Sequence, residues 1–299
     1  MSVGVSILQT GTVRIRPSQR MQSASKPVVL RRMKMLFGDR EWTEPLPINA
    51  YLIEHPDGPI LVDTGESPHA TERGWMPRWH PFFRRCVDVH VAPDEGIGTL
   101  LARRGIRPAD LRAVVLTHLH HDHADGLGDV VGPPVLLSRE HWQAFRRPFR
   151  ATLEGALPKH WPAGFEPSIL TKTGPPLGPW QTTFPITADG RVVAVPTPGH
   201  VPGHLCVVVF AEAATYLIGG DVTYAQDLLD RELTDGVNTR PRLATLQLRT
   251  IKTFAAQQPI VLLPAHDPAG AARLAAGEVY RPSALKPEPK GRRSHPSAG

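Results

Sequence analysis

The chain has 299 residues, 41% hydrophobic and 21% charged, with 32 prolines and 26 glycines. That is enough apolar material for a substantial core and enough punctuation for many loops, where sites usually reside. The formal charge of +6 gathers at the end, because residues 281–299 carry Arg281, Lys286, Lys290, Arg292 and Arg293 against Glu288 alone; a near-neutral body argues against a nucleic-acid channel. No run of 18 apolar residues argues for a membrane span, so no membrane partner is expected. Cys86 and Cys206 are too few for a disulfide framework and do not form a metal-type pair, which fits a reducing cytoplasm. The first residues alternate (Val3, Val5, Ile7) and soon meet Arg14, Arg16 and Arg20, unlike a signal peptide. The expected organisation is one domain over 1–280, followed by a basic, Pro-rich tail over 281–299 that has no reason to pack.

In chain order, residues 3–16 read as a strand or hairpin, and Ile48–Glu54 and Ile60–Val62 as strands joined at His55-Pro56-Asp57-Gly58. Residues 66–92 show no period and carry Trp75, Met76, Trp79, Phe82 and Phe83, as a long functional or covered loop would. Pro93–Arg104 reads as a surface helix stopped by Gly105, Leu111–Leu116 and Val135–Leu137 as strands, and Arg139–Phe145 as a helix. Residues 149–185 are rich in Pro and Gly and predict a short helix and loops. Arg191–Val195, Leu205–Phe210, Ala214–Ile218 and Ile260–Leu263 read as strands, and 241–257 as a helix. A faint echo between Gly58–Gly65 and Tyr216–Thr223, each running from an apolar strand to an Asp beside Gly and Thr, points to two related halves.

The chemistry gathers after the strand 111–116. In Thr117-His118-Leu119-His120-His121-Asp122-His123, four metal-binding side chains fall within six residues, a spacing too tight for coincidence. His200, Asp221 and His266 follow three further strands, and strand ends can converge on one edge of a sheet. Two metals are easier to build from these than one. His118, His120 and His200 make one set, Asp122, His123 and His266 a second, and Asp221 gives one oxygen to each. Two cations sharing a water lower its pKa toward neutrality and polarise a carbonyl brought alongside. The other histidines, including His121 and His204, are read as core, capping or surface residues.

The motifs His118-x-His120-x-Asp122-His123, Thr197-Pro198-Gly199-His200, Gly220-Asp221 and Pro264-Ala265-His266 resemble the metallo-β-lactamase superfamily, with matches spread from about residue 45 to residue 270. The resemblance implies an α/β fold, an αββα sandwich of two mixed β-sheets flanked by helices, with a dinuclear site at one edge. It implies two divalent metal ions, usually zinc, although such sites also accept Fe, Co or Mn. Asp63 matches the family's aspartate that orients a ligand histidine. Within the superfamily the chain is most similar to the N-acyl homoserine lactone lactonases, which share the spacing Asp221-Val222-Thr223-Tyr224 and the ending Pro264-Ala265-His266-Asp267.

That similarity implies hydrolysis of a lactone ring by a metal-bridging hydroxide, with Tyr224 steadying the oxyanion and Asp122 carrying a proton to the leaving oxygen. Trp75, Met76, Trp79, Phe82 and Phe83, with Met33, Met35 and Phe37, are candidates for the wall against the acyl chain, or for core or a dimer contact. The partner would be a small-molecule lactone or ester rather than nucleic acid, and a homodimer is open. The nearest alternative is another ester or thioester hydrolase like glyoxalase II; a phosphodiesterase or nuclease fits the near-neutral body less well.

Overall fold

The computed structural model describes residues 2–283. Twelve strands form two sheets. The first holds β1 (Gly4–Ile15), β2 (Leu46–Glu54), β3 (Ile60–Val62), β4 (Val87–His90), β5 (Ala113–Val115), β6 (Val135–Ser138) and β7 (Ser168–Leu170), in the order β4-β1-β2-β3-β5-β6-β7. The second holds β8 (Phe184–Pro185), β9 (Val192–Pro196), β10 (Leu205–Phe210), β11 (Thr215–Gly220) and β12 (Ile260–Pro264), in the order β12-β11-β10-β9-β8. Both are mixed: β3, β5, β6 and β7 run parallel beside antiparallel β1 and β2, and β12 runs parallel to β11 in an otherwise antiparallel sheet.

Strand alternation decides which side chains meet. Tyr51, Ile53, Ile60 and Val62 point inward and pack with Val207, Val209, Ile218 and Leu263 of the second sheet. Their neighbours Leu52, Leu61 and Val114 point outward and pack with Leu101 and Phe145 of flanking helices. On the far side the helix Pro241–Gln257 lays Leu248, Ile251 and Phe254 over Val208, Leu217 and Leu262. Both faces of each sheet are therefore covered, which is why the strands read as continuous apolar runs rather than clean alternations. The αββα layering expected from the motifs is the one observed.

Several elements differ from the sequence reading. Residues 4–15 are one strand with a register shift between Gln9 and Thr12, not a hairpin; Gly11, at φ 98°, sits in the irregularity. The 66–92 segment contains a 3-10 turn, Pro68–Thr71, a helix, Pro81–Arg85, and the edge strand β4 on β1. The helix expected over 93–104 is confined to Ile97–Ala102. The helix Val28–Met33, continued by a wider turn over Lys34–Gly38, had no sequence period, because the residue it buries is Arg31. The expected tail lies outside the described residues from 284 onward.

Strand ends set the stage for the site. Asp63 follows β3, the histidine cluster β5, His200 β9, Asp221 β11 and His266 β12. The sheets are tied together here: Tyr51 donates from its hydroxyl to the Leu263 and Pro264 carbonyls at 3.1 and 2.9 Å. Leu205 N donates to the Thr117 carbonyl at 3.1 Å.

Candidate metal centre

The cluster is fixed at its root by Asp63. Thr117 donates from its backbone N and from Oγ1 to the two Asp63 oxygens, each at 2.8 Å. Asp63 adopts φ 59°, a left-handed conformation uncommon outside glycine but tolerated by Asp, and so turns its carboxylate back onto the strand end. His121–Ala124 then forms a single helical turn, which separates His118 and His120 from Asp122 and His123.

Two groups of potential ligand atoms result, His118, His120, His200 and Asp221 in one and Asp122, His123 and His266 in the other, each within 4.8 Å of one another. Asp221 stands between them. Its Oδ2 lies 3.4 Å from His200 Nε2 and 4.0 Å from His118 Nε2, while its Oδ1 lies 3.2 Å from both His123 Nε2 and His266 Nε2. His266 Nε2 is 3.4 Å from Asp122 Oδ2, and His200 Nε2 faces His120 Nδ1 at 3.0 Å.

The far nitrogens of these rings are held from behind. His123 Nδ1 donates to Asp63 at 2.8 Å, His200 Nδ1 to Asp235 at 3.0 Å and His266 Nδ1 to the Pro47 carbonyl at 2.9 Å. His118 Nδ1 lies 3.1 Å from Thr117 Oγ1. Such contacts fix the tautomer, so that the inward nitrogen carries the lone pair.

Two tests of fit favour cations. His118 Nε2, His123 Nε2 and Asp221 Oδ1 are buried and make no hydrogen bond, an arrangement too costly to leave uncompensated. Burial, then the neighbouring imidazoles, push His118 well below the usual histidine range, so it stays neutral. Burial works against ionisation of Asp221, yet His266 and His123 hold it well below the usual carboxylate range. His120 is lowered in the same way as His118, whereas, against burial, the carboxylates facing His123, His200 and His266 raise those three, so the cluster holds paired negative and imidazole donors that two divalent cations would satisfy by displacing protons.

A cavity opens beside this edge, lined by His120, His121, Asp122, Asp221 and Tyr224 and by Met35, Leu36, Phe82, Leu153 and Val237. The Tyr224 ring lies 4.9 Å from that of His266. Burial first, then Asp221, raise Tyr224 well above its ordinary pKa, so the phenol keeps its proton.

Of the side chains expected to line an acyl pocket, Phe82 and Met35 reach the cavity. Trp75, Met76, Trp79 and Phe83 do not line it, and neither do Met33 and Phe37. Trp75 donates from Nε1 to Asp125 at 2.7 Å and stacks on His160 with 3.8 Å between centroids. Phe83 is buried edge-on to His121, and Trp79 is 57% exposed and stacked on Phe149. An indole needs an acceptor and a flat partner; composition alone does not say which way it turns.

Three residues act where the sequence reading gave them no role. Asp235 supports His200 from a loop without any motif. His204 donates from Nδ1 to Thr197 Oγ1 at 2.8 Å and accepts at Nε2 from Asp221 N at 3.1 Å, so it positions the shared carboxylate. His121 faces the cavity and is paired through Nδ1 with the buried Glu66. The second histidine of Thr197-Pro198-Gly199-His200-Val201-Pro202-Gly203-His204 was the only sequence signal for any of them.

Fold and site together define a metallohydrolase sandwich with a two-cation edge. The chain belongs to the metallo-β-lactamase superfamily, whose profile matches residues 43–266. Similar curated proteins include an N-acyl homoserine lactonase of a Bacillus species, 28% identical over 232 residues, covering 74% of this chain and 82% of that one. Another is the N-acyl homoserine lactonase AttM of Rhizobium radiobacter, 24% identical over 253 residues, covering 83% and 92%. Among solved structures, an N-acyl homoserine lactone hydrolase with N-hexanoyl-L-homoserine at its catalytic metal center superposes with a TM-score of 0.71 at 21% identity, over 90% of this chain and 95% of that one. The dizinc quorum-quenching lactonase AidC superposes with a TM-score of 0.59 at 15% identity, over 90% of each chain. These superpositions are likenesses of fold.

Proposed function

We propose that the protein is a two-metal hydrolase that opens the ring of N-acyl homoserine lactones and so quenches a bacterial quorum signal. The observation that carries this reading is Tyr224 in the cavity wall beside Asp221 and His266, in a chain whose named relatives are lactonases. His118, His120 and His200 would hold one cation and Asp122, His123 and His266 the other, with Asp221 within reach of both. When bound, the cations would supply Lewis-acid polarisation of a carbonyl and would acidify a water. Zinc suits the imidazole-rich sets, with Fe, Co or Mn admitted by the same ligands.

The residues divide the remaining work. Water adds to the lactone carbonyl carbon while the Tyr224 hydroxyl, kept protonated, donates to the developing oxyanion. The ring ester bond then breaks. Asp122, at the cavity surface, passes the proton lost by the water to the departing alkoxide, giving an acid and an alcohol on one molecule. Met35, Leu36, Phe82 and Leu153 offer the acyl chain an apolar wall. Cys86 and Cys206 are free and buried, in keeping with a reducing cytoplasm.

The chemistry is tested by turnover of N-hexanoyl homoserine lactone in oxygen-18 water with metal-loaded protein. Label is expected in the new carboxylate. Label in the alcohol oxygen, or an unopened ring, would sink the proposal. A thioester and a phosphodiester run beside it measure the alternatives.

A further inference from the structure

The helix Val28–Met33 is packed inside out. It buries Arg31, which donates to Thr234 Oγ1 at 2.9 Å and to the Asp235 carbonyl, while Val29, Leu30 and Met33 are 67%, 53% and 52% exposed. Phe37, at the end of the following turn, is 63% exposed. Aliphatic side chains turned to water around a buried arginine are the reverse of a surface helix.

The turn that follows the helix carries Met35 and Leu36 into the lining of the catalytic cavity, so these exposed side chains flank that lining in the chain. Arg32 of the same helix pairs with Glu154 at 2.8 Å, and both line the cavity. Glu154 follows the helix Pro148–Leu153, whose Phe149 is 70% exposed and stacks on Trp79. Phe37 lies under the Arg85 guanidinium, 5.2 Å from its ring. Three segments that contribute to the cavity lining thus each carry exposed apolar groups: Met33 and Phe37 near Arg32 and Leu36, Trp79 beside His80, and Phe149 on the helix that ends at Leu153.

The same segments are strongly basic. Residues 20–40, 73–85 and 146–154 contain thirteen Lys and Arg against Asp39 and Glu154, and ten of the thirteen are exposed. The body is near neutral only in total.

We infer that this apolar, basic rim docks on an anionic lipid surface, with the cavity mouth turned toward the bilayer. Aliphatic and aromatic side chains enter the headgroup boundary, while surrounding cations meet lipid phosphates. A second copy of the chain is a poorer occupant, because a two-fold contact would set this basic rim against itself. A single-stranded nucleic acid could stack on Phe37 and Phe149 but would leave Val29, Leu30 and Met33 in water, whereas a headgroup boundary buries all of them. No helix in the described residues is long and apolar enough to cross a membrane, so the contact is interfacial. This revises the expectation of no membrane partner, and it rests on the face alone, independent of which ester the site hydrolyses.

The test is co-sedimentation of the full-length, metal-loaded protein, without substrate, with phosphatidylcholine vesicles and with vesicles containing phosphatidylglycerol. Binding is expected to the anionic vesicles, falling at least tenfold between low and high salt, with little binding to the neutral ones. The double variant Leu30→Asp and Phe149→Asp should lose that binding at least tenfold while keeping its circular dichroism and its turnover of a short, water-soluble ester. Equal binding by parent and variant, or none by either, overturns the inference. So does light scattering that shows a dimer which only the parent forms, or retention by a single-stranded oligonucleotide that exceeds binding to anionic vesicles. Failure of hydrolysis with vesicle binding intact would count against the lactonase reading and leave the docking face standing.

Discussion

His200 Nδ1 donates to Asp235 Oδ2 at 3.0 Å, and Asp235 is itself held by Val237 N at 3.0 Å and by Asn238 Nδ2. The ring is therefore oriented by a carboxylate that is anchored on its own loop. Asp235→Ala should weaken the His118–His120–His200 set about 10- to 100-fold toward its cation, and the Asp122–His123–His266 set much less. Competition against a chelating dye reads the two affinities separately. Equal affinities in parent and variant would mean that the contact is only structural.

Tyr224→Phe removes the hydroxyl and keeps the ring against His266. We expect kcat to fall by about 10²-fold, as for loss of one oxyanion donor, with KM and metal content close to the parent. An unchanged kcat would return Tyr224 to a packing role.

His141 is buried and neutral. It donates from Nδ1 to the Pro202 carbonyl at 2.7 Å and accepts at Nε2 from Leu119 N at 2.9 Å, inside the metal cluster's loop. Burial lowers its pKa to about 3, below the 6.5 of an unperturbed histidine. The unfolded chain therefore binds a proton below pH 6.5 that the folded chain refuses. The contribution is complete above about pH 6.5 and is lost as pH falls from there toward about 3, by up to ~1.4 kcal/mol per pH unit. His141→Gln keeps a donor and an acceptor without titrating. Its stability should fall less steeply with acid than the parent's, measured by urea unfolding between pH 7 and 5; parallel slopes would refute the assignment.

Removing metal should also loosen the fold. The buried imidazoles and carboxylates at the strand ends would lose the charge that compensates them. Chelation is expected to lower the melting temperature by roughly 5–10 °C, recovered on adding zinc. A melting curve indifferent to chelator would argue that the cluster binds no ion.

The extent to which the sequence disclosed this site follows from the reach of its signals. His118 to His123 are neighbours in the chain, and His200, Asp221 and His266 each end an apolar strand at a Gly or Pro, so both were legible. The αββα layering was implied by the family resemblance that these motifs carry, and the continuous apolar strands agree with it. Asp235 lies between the helices Gln226–Asp230 and Pro241–Gln257 in a loop with no period, and Glu66 meets His121 across 55 residues; neither pairing leaves a local trace. The aromatic loop misled in part because aromatic content reports burial, not direction. Trp75 turned to Asp125 and Trp79 to Phe149, while Leu36 and Leu153, which no pattern marked, lined the cavity.

The most direct test of the account is a pH-stat comparison of kcat/KM for the metal-loaded protein on acyl homoserine lactones of several chain lengths, aliphatic lactones, a thioester, a phosphodiester and a β-lactam. The account predicts that the acyl homoserine lactones lead, and that Tyr224→Phe removes most of that lead. Negligible turnover of every lactone beside any one of the other substrates would contradict it.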